Sequence, residues 1–371
     1  MRVLFACGGT GGHINPAIAI AKMIRERRPR SGILFVGSEN GMETKLVPHE
    51  GFEIKTIANR GFKHKITPPA VWWNLKTAAG FRAVLKSAGQ IVEEFRPDVV
   101  VGTGGYASYP VVREAAARGI ATAIHESNAV PGMATRALSG RVDRVMVGFQ
   151  DSARHYKSKA QVVVTGTPVR EDFIYAGKAE ARQALKLDDR PVVAVTFGSL
   201  GAREMNKMMA DYLTYLAQSM EFQLIYATGK FGARWMPELV AGKGVDLRAA
   251  THIQMLDYIY NMPTVMAAAD LMITRSGAST LTELAVSAAP AILIPSPNVT
   301  GNHQEKNARS IERQGGAEVI LERQCSGRLL YERTQDMLRR PAKLQQMKSA
   351  MRSLAFLDAN ERIYQTIVEL I

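Results

Sequence analysis

The stretch richest in chemistry is Gly8-Gly9-Thr10-Gly11-Gly12-His13-Ile14-Asn15-Pro16, which follows the apolar run Val3-Leu4-Phe5-Ala6 and precedes the helix-like Ala17-Ile18-Ala19-Ile20-Ala21. Glycines let the backbone take positive φ and approach a ligand closely, and a helix N-terminus behind them offers unpaired N–H groups and a positive dipole end. That combination holds an anion. Pro16 suits a first helical turn, with Asn15 as its N-cap. Two nucleotide signatures fail here: a dinucleotide fingerprint begun at Gly9-x-Gly11 needs a third glycine where Ile14 stands, and the Gly-Lys-Ser/Thr ending of a P-loop is missing.

Other turns share this make-up. VVAVTFGSLGAREMN (192–206) repeats the strand, glycine turn and helix start of the opening residues, and PDVVVGTGGYAS (97–108) parallels ADLMITRSGAST (269–280). Ser199, in the turn Gly198-Ser199-Leu200-Gly201, can bond a phosphate oxygen through its hydroxyl and amide, or cap the helix behind it. It is not a nucleophile elbow, because Phe197 occupies the first glycine position, and a serine hydrolase is disfavoured. No Asp-x-Asp pair occurs, so the common metal–diphosphate ligand pattern is absent. Cys7 and Cys325 have no metal-ligand spacing and read as packing residues in a reducing compartment.

These turns need strands and helices to carry them. Apolar runs at 3–7, 33–37, 53–57, 98–102, 121–125, 143–147 and 162–165, then at 192–196, 222–227, 246–250, 270–274, 290–294 and 317–320, alternate with helical patterns. That alternation predicts α/β architecture with parallel sheets doubly wound by helices. With 371 residues and two halves that echo each other, two such domains facing a cleft are expected, with a boundary near Gly166-Thr167-Pro168: 1–166, 167–354, and a last helical segment, 355–371. Ligands of such sheets bind at the carboxyl ends of strands, where every glycine cluster falls.

Composition, 46% hydrophobic and 22% charged, describes an ordinary globular chain, and no apolar run approaches a membrane span, so a cytoplasmic location is expected. A net charge of +13 calls for an anionic partner. Nucleic acid is disfavoured, since there is no zinc-finger spacing, no long basic run and no aromatic RNA-binding signature. Taking 71–95 as a helix, Phe81, Val84, Leu85, Ala88, Ile91, Val92 and Phe95, joined by Trp73, form the core stripe, while Val71, Trp72 and Leu75 fall opposite with Arg82, Lys86 and nearby Lys76. An outward tryptophan with aliphatic neighbours and cations suits an anionic membrane surface, with Lys63, His64 and Lys65 as a possible extension; the alternative is local packing against the domain.

GGTGGHINPAIAIA, TGGYASYP (103–110), HESNAVPG (125–132), GTPVR (166–170), FGSLGAR (197–203), RSGASTLTE (275–283) and HQEKNA (303–308) together resemble the N-acetylglucosaminyltransferases that convert lipid I to lipid II in bacterial peptidoglycan synthesis. The match runs in order over nearly the whole chain, with Ser127 and Thr167 as variants of the pattern. The resemblance implies the two-domain GT-B fold, an N-terminal acceptor domain, a C-terminal donor domain, and a last helix that crosses back to the first. It implies UDP-GlcNAc contacts at Thr10, Gly11, Gly12, Asn128, Arg170, Ser199, Ile259, Ala278, Ser279, Thr280, Leu281, Glu283 and Gln304, with Gly104, Gly105 and Tyr106 as acceptor and diphosphate loops. No cofactor or metal is implied. A polyprenyl-diphosphate-linked acceptor places the enzyme peripherally on the cytoplasmic face of the cell membrane.

The implied reaction is displacement at the anomeric carbon of UDP-GlcNAc by the 4-hydroxyl of MurNAc, with inversion, which needs a base and a stabilised UDP departure. His13, at the end of the glycine turn, is the first candidate base, and Glu126 and His125 are its competitors; a histidine there can equally orient the loop. Glu283 suits ribose hydroxyls or, more plainly, the start of a helix. Arg170 and Arg203 are candidates for neutralising the diphosphate, and Gln304 for sugar hydroxyls. Two other readings stay open: a UDP-GlcNAc 2-epimerase of the same fold, and a non-catalytic sugar-nucleotide-binding protein.

Overall fold

The computed structural model describes residues 1–58, 67–156 and 160–371, without the side chains at 68–71, 73–76 and 78. The chain divides into two compact units, Met1–Val169 with Asp358–Ile371, and Arg170–Leu357.

In the first unit, β1 (Arg2–Cys7), β2 (Gly32–Ser38), β3 (Glu53–Ile57), β4 (Val99–Gly104), β5 (Ala121–Glu126), β6 (Arg144–Val147) and β7 (Gln161–Val164) form one sheet in the order β3-β2-β1-β4-β5-β6-β7. Every ladder is parallel. Val3–Cys7 and Val99–Val101 are fully buried, as strands covered on both faces must be. Helix α1 (Gly11–Arg27) covers one face with Ile14, Ala17, Ile20 and Ile24. Helix α2 (Glu43–His49) follows β2. The long helix α3 (Pro68–Phe95) covers the other face with Val84, Ala88, Ile91 and Val92. The last helix, Ala359–Val368, sets Ile363 and Ile367 into the α1 cluster, and its Glu361 pairs with Arg27 at 2.5 Å.

The second unit repeats the plan. β8 (Val192–Thr196), β9 (Gln223–Ala227), β10 (Ile253–Leu256), β11 (Leu271–Thr274), β12 (Ala291–Leu293) and β13 (Ala317–Val319) form a parallel sheet in the order β10-β9-β8-β11-β12-β13. The strand expected at 246–250 is a turn instead. Asp246 accepts the Arg248 N–H at 2.9 Å through its side chain, and its carbonyl takes the Ala249 and Ala250 amides. These local bonds compete with a ladder, and β10 forms after them from Ile253.

In both sheets the strand order reverses direction on the two sides of one strand, at β1/β4 and at β8/β11. Such switch points open a crevice beyond the strand ends. No helix among the described residues is long and apolar enough to cross a membrane.

Candidate active site

Beyond β1 the chain turns through Gly8–Thr10 into α1, with Gly9 at φ +89° and Thr10 as the extended N-cap. The His13 and Ile14 amides bond the Thr10 carbonyl at 3.0 and 3.1 Å. The helix therefore starts at Gly11, not after Asn15, and Pro16 lies inside it. Proline is tolerated there because the bond it cannot make is the one to the carbonyl of Gly12, in the exposed first turn.

His13 lies half-buried in that turn with Nδ1 3.1 Å from the Gly8 carbonyl and 3.4 Å from Thr10 Oγ1. A carbonyl only accepts, so Nδ1 carries the proton and the lone pair of the neutral ring is at Nε2. Thr103 Oγ1 donates to the His13 carbonyl at 2.7 Å, tying the turn after β4 to the turn after β1. Gly104 (φ +102°) and Gly105 (φ +85°) must be glycines: a Cβ on the first would stand 2.7 Å from the His13 ring, and one on the second would enter the Gly8 backbone. Tyr106 follows, 41% exposed.

One group here has no sequence signal. Glu43, fully buried at the start of α2, accepts the Gly9 N–H at 3.2 Å and the Ser38 N–H at 2.8 Å. The glycines that leave it room, Gly8, Gly37 and Gly41, are scattered along the chain. Its charge, added to burial, pushes the Cys7 thiol far above the usual range.

The competing candidates for the base have other commitments. His125 is buried, with Nε2 2.9 Å from the Gly166 carbonyl and Nδ1 3.3 Å from Ser127 Oγ, and burial holds its imidazole below the ordinary value. Both ring nitrogens hold structure. Glu126, also buried, accepts the Asn128 N–H at 3.0 Å and the Asn128 side-chain amide at 2.9 Å on one oxygen, and the Gly132 N–H at 2.9 Å on the other. A carboxylate so bonded organises the 127–132 loop, and Asn128 owes its position to it.

In the second unit the turn after β8 has Gly198 at φ +91° and Gly201 at φ +79°, with Ser199 exposed between them. It borders a pocket of about 550 Å³ that brings together Ser199, Thr280, Glu283 and Gln304. Thr280 and Glu283 project from the helix Ala278–Val286, whose N-cap is Gly277. Burial pushes the Glu283 carboxyl up to about 7, and the charge of Arg170 partly opposes the rise. Gln304 accepts the Ser296 N–H at 2.9 Å on its side-chain oxygen, which leaves the side-chain NH₂ as its donor to a ligand.

Arg203, Tyr258, Arg275 and Asn298 line the same pocket. Of these only Arg203 was a sequence candidate, because an isolated tyrosine or asparagine carries no spacing. Arg275 pairs with Glu322 at 2.5 Å and donates to the Ile294 carbonyl at 3.0 Å, so it fixes the wall. Arg170, Ile259, Ala278, Ser279 and Leu281 do not line it. Ile259 and Leu281 are buried. Arg170 is exposed and donates to Asp172 at 2.9 Å.

On α3, Trp72 is 61% exposed and Arg82 and Lys86 are exposed, while Phe81, Leu85 and Phe95 are half-buried beside the core. Lys63, His64 and Lys65, and the side chains of Val71, Trp73, Leu75 and Lys76, lie outside the described residues.

Residues 3–147 match the glycosyltransferase family 28 N-terminal domain, and residues 192–363 match the family's C-terminal domain. The UDP-N-acetylglucosamine--N-acetylmuramyl-(pentapeptide) pyrophosphoryl-undecaprenol N-acetylglucosamine transferase of Ruminiclostridium cellulolyticum is 42% identical over 375 residues, covering 100% of both chains. The chain belongs to glycosyltransferase family 28. An enzyme of the same description from Caldanaerobacter subterraneus subsp. tengcongensis is 43% identical, over 99% of both chains. Among solved structures, Acinetobacter baumannii MurG superposes with a TM-score of 0.78 at 25% identity, covering 99% of each chain. The doubly wound two-domain fold is thus that of the family.

Proposed function

We propose that this enzyme transfers GlcNAc from UDP-GlcNAc to the 4-hydroxyl of MurNAc in a polyprenyl-diphospho-MurNAc-pentapeptide, making lipid II from lipid I. The observation that carries the proposal is the pocket beyond β8 and β11, where a serine-bearing glycine turn, a half-buried carboxyl and a side-chain amide donor meet. These groups suit a diphosphate, a ribose and a sugar, respectively. Full-length likeness to the transferases supports this reading over a 2-epimerase or a silent binding protein.

In the step itself the acceptor oxygen forms a bond to the anomeric carbon as the bond to the UDP phosphate oxygen breaks, inverting α to β. His13 Nε2 takes the hydroxyl proton, and its Nδ1 bond to Gly8 holds the ring in the tautomer that can do so. UDP leaves with its charge met by Ser199, the amides of Gly198–Leu200 and the N-terminus of Ala278–Val286, assisted by Arg170 and Arg203. Glu283 accepts the ribose hydroxyls and Gln304 donates to the sugar, while Thr10, Gly11, Gly12 and Asn128 complete the donor contacts. Gly104, Gly105 and Tyr106 receive the acceptor diphosphate. No metal or cofactor takes part.

The acceptor's lipid places the enzyme on the cytoplasmic face of the membrane, bound peripherally through Trp72, Arg82 and Lys86. The test is transfer from UDP-GlcNAc to a lipid I analogue with and without chelator. Product in both arms is expected; no product, or a new sugar isomer from donor alone, would refute the reading. Trp72→Ser with Arg82→Ser should reduce binding to anionic liposomes and spare transfer to a short-chain soluble acceptor. Equal loss in both assays would make the face structural.

A further inference from the structure

Glu43 is the buried carboxylate with no place in the chemistry above. Its two oxygens take one backbone N–H from each of two neighbouring strand ends: Gly9, just past β1, at 3.2 Å, and Ser38, the last residue of β2, at 2.8 Å. Glycines surround it where any Cβ would collide, at Gly8, Gly37 and Gly41. The chain gives up side chains at three separate positions to admit one carboxylate, and burying a charge is costly unless it is well bonded. A glycine turn at a helix N-terminus would otherwise collect an external anion. Here an internal one holds the Gly9 amide.

The neighbouring residue explains why this matters. The peptide between Gly8 and Gly9 is one rigid plane: its N–H points to Glu43 and its C=O points to His13 Nδ1, 3.1 Å away. Fixing the N–H fixes the carbonyl, and the carbonyl selects the ring's tautomer. We propose that Glu43 is a positioning residue for His13, acting through the Gly8–Gly9 peptide plane to keep the proton on Nδ1 and the lone pair on Nε2.

The inference rests on the transferase reading, with His13 as base. Glutamine at position 43 keeps the shape but offers one acceptor oxygen and turns an N–H₂ toward the other amide. In the full-length enzyme Glu43→Gln should therefore lower kcat about ten- to a hundredfold, the cost of misplacing a catalytic group. The KM for UDP-GlcNAc and the affinity for UDP should stay within about twofold, because the pocket in the second unit is untouched. In a His13→Gln background the same change should cost almost nothing further, since groups acting as one unit are not additive. Glu43→Asp, which keeps the charge but falls short of both amides, should show the same kcat loss, and it serves if Glu43→Gln does not fold.

A second readout needs no transfer activity. Ring ¹⁵N shifts of histidine-labelled protein, with His13 assigned by His13→Gln, should report the Nδ1–H tautomer in the parent and a shift toward Nε2–H in Glu43→Gln. A parent enzyme that makes no lipid II sinks the transferase reading, and the tautomer measurement still judges the role of Glu43. Full kcat in both Glu43 variants, additive losses in the His13→Gln background, or an unchanged tautomer would each overturn the proposal.

Discussion

The two glycine turns that follow β1 and β8 start from the same local plan, a buried strand feeding a turn with glycines at positive φ and then a helix, and they end in different surroundings. The turn at Gly8–Gly12 already holds an anion, the carboxylate of Glu43 on the Gly9 amide. The turn at Gly198–Gly201 has its own internal bonds, Gly201 N–H to the Gly198 carbonyl and Lys230 N–H to the Ser199 carbonyl, and it borders a pocket where Arg203 stands with Glu204 and Glu283 and Arg275 is already paired with Glu322. One turn is set before any ligand arrives and aims a histidine. On the proposed function, the other takes its anion from outside. Backbone shape alone does not say whether a glycine turn binds a phosphate.

The sharpest way to break this contrast is to remove what each turn presents. His13→Ala should lower kcat about a hundredfold or more, the usual contribution of a general base, while UDP affinity measured by calorimetry stays put. A parallel loss of UDP affinity would make His13 a donor contact in place of a base and erase the distinction. Ser199→Ala should do the reverse, with weaker UDP binding as its first effect.

Each turn also contains, or packs against, a glycine that cannot change. A Cβ at Gly105 would enter the Gly8 backbone, and one at Gly201 would enter the Thr228 carbonyl. Gly105→Ala and Gly201→Ala should each destabilise the protein by about 1–3 kcal/mol of overpacking in addition to about 1–2 kcal/mol of left-handed backbone strain. Thermal melting monitors both, and an unchanged midpoint would mean the turns are looser than the packing indicates.

Glu283 tests the second turn's pocket at a smaller scale. Glu283→Ala should weaken UDP binding by about 1–3 kcal/mol, the cost of losing hydrogen bonds to a charged group. Its carboxyl is held up at about 7 by burial, so near neutral pH a large fraction is protonated in the free enzyme. If the ribose binds the ionised form, UDP affinity should rise as pH increases toward 7 and level off above it, being about tenfold weaker one unit below. The same shift acts on stability with the opposite sense: a carboxyl raised from 4.5 favours the folded state most below that value, and this contribution is lost as pH rises to about 7. Glu283→Gln should flatten both profiles.

The double winding and the glycine turns at the strand ends were legible in the sequence because strands buried on both faces are apolar throughout, and turns with positive φ need glycine. The exceptions have local physical causes. Leu247, Ala249 and Ala250 read as strand, yet the Asp246 side chain captures the Arg248 amide and bends the chain. Asn15-Pro16 reads as a helix start, yet the helix begins at Gly11 because glycine accommodates the first turn and proline loses only one bond. Of the candidate site residues, His13, Ser199 and Glu283 stood out in the sequence because they follow glycine turns. Glu43 did not, since its partners come together only when β1 and β2 pair, and the bonds that His125 and Glu126 make to the 127–132 loop and to Gly166 carry no spacing a sequence could show.

The smallest predicted effect discriminates most finely. Gly9 and Gly198 have nearly equal φ, +89° and +91°, and neither has an atom within 4 Å of where a Cβ would go. Alanine at either position should cost a similar amount of stability, about 1–2 kcal/mol from the backbone alone. If the turns differ as argued, the functional losses diverge. Gly9→Ala strains the peptide that links Glu43 to His13 and should lower kcat, whereas Gly198→Ala strains the cradle of the donor and should raise the donor KM. Matched stability losses with opposite kinetic signatures would separate the use of a turn from its shape, and matched kinetics would show that the two turns handle a common ligand in the same way.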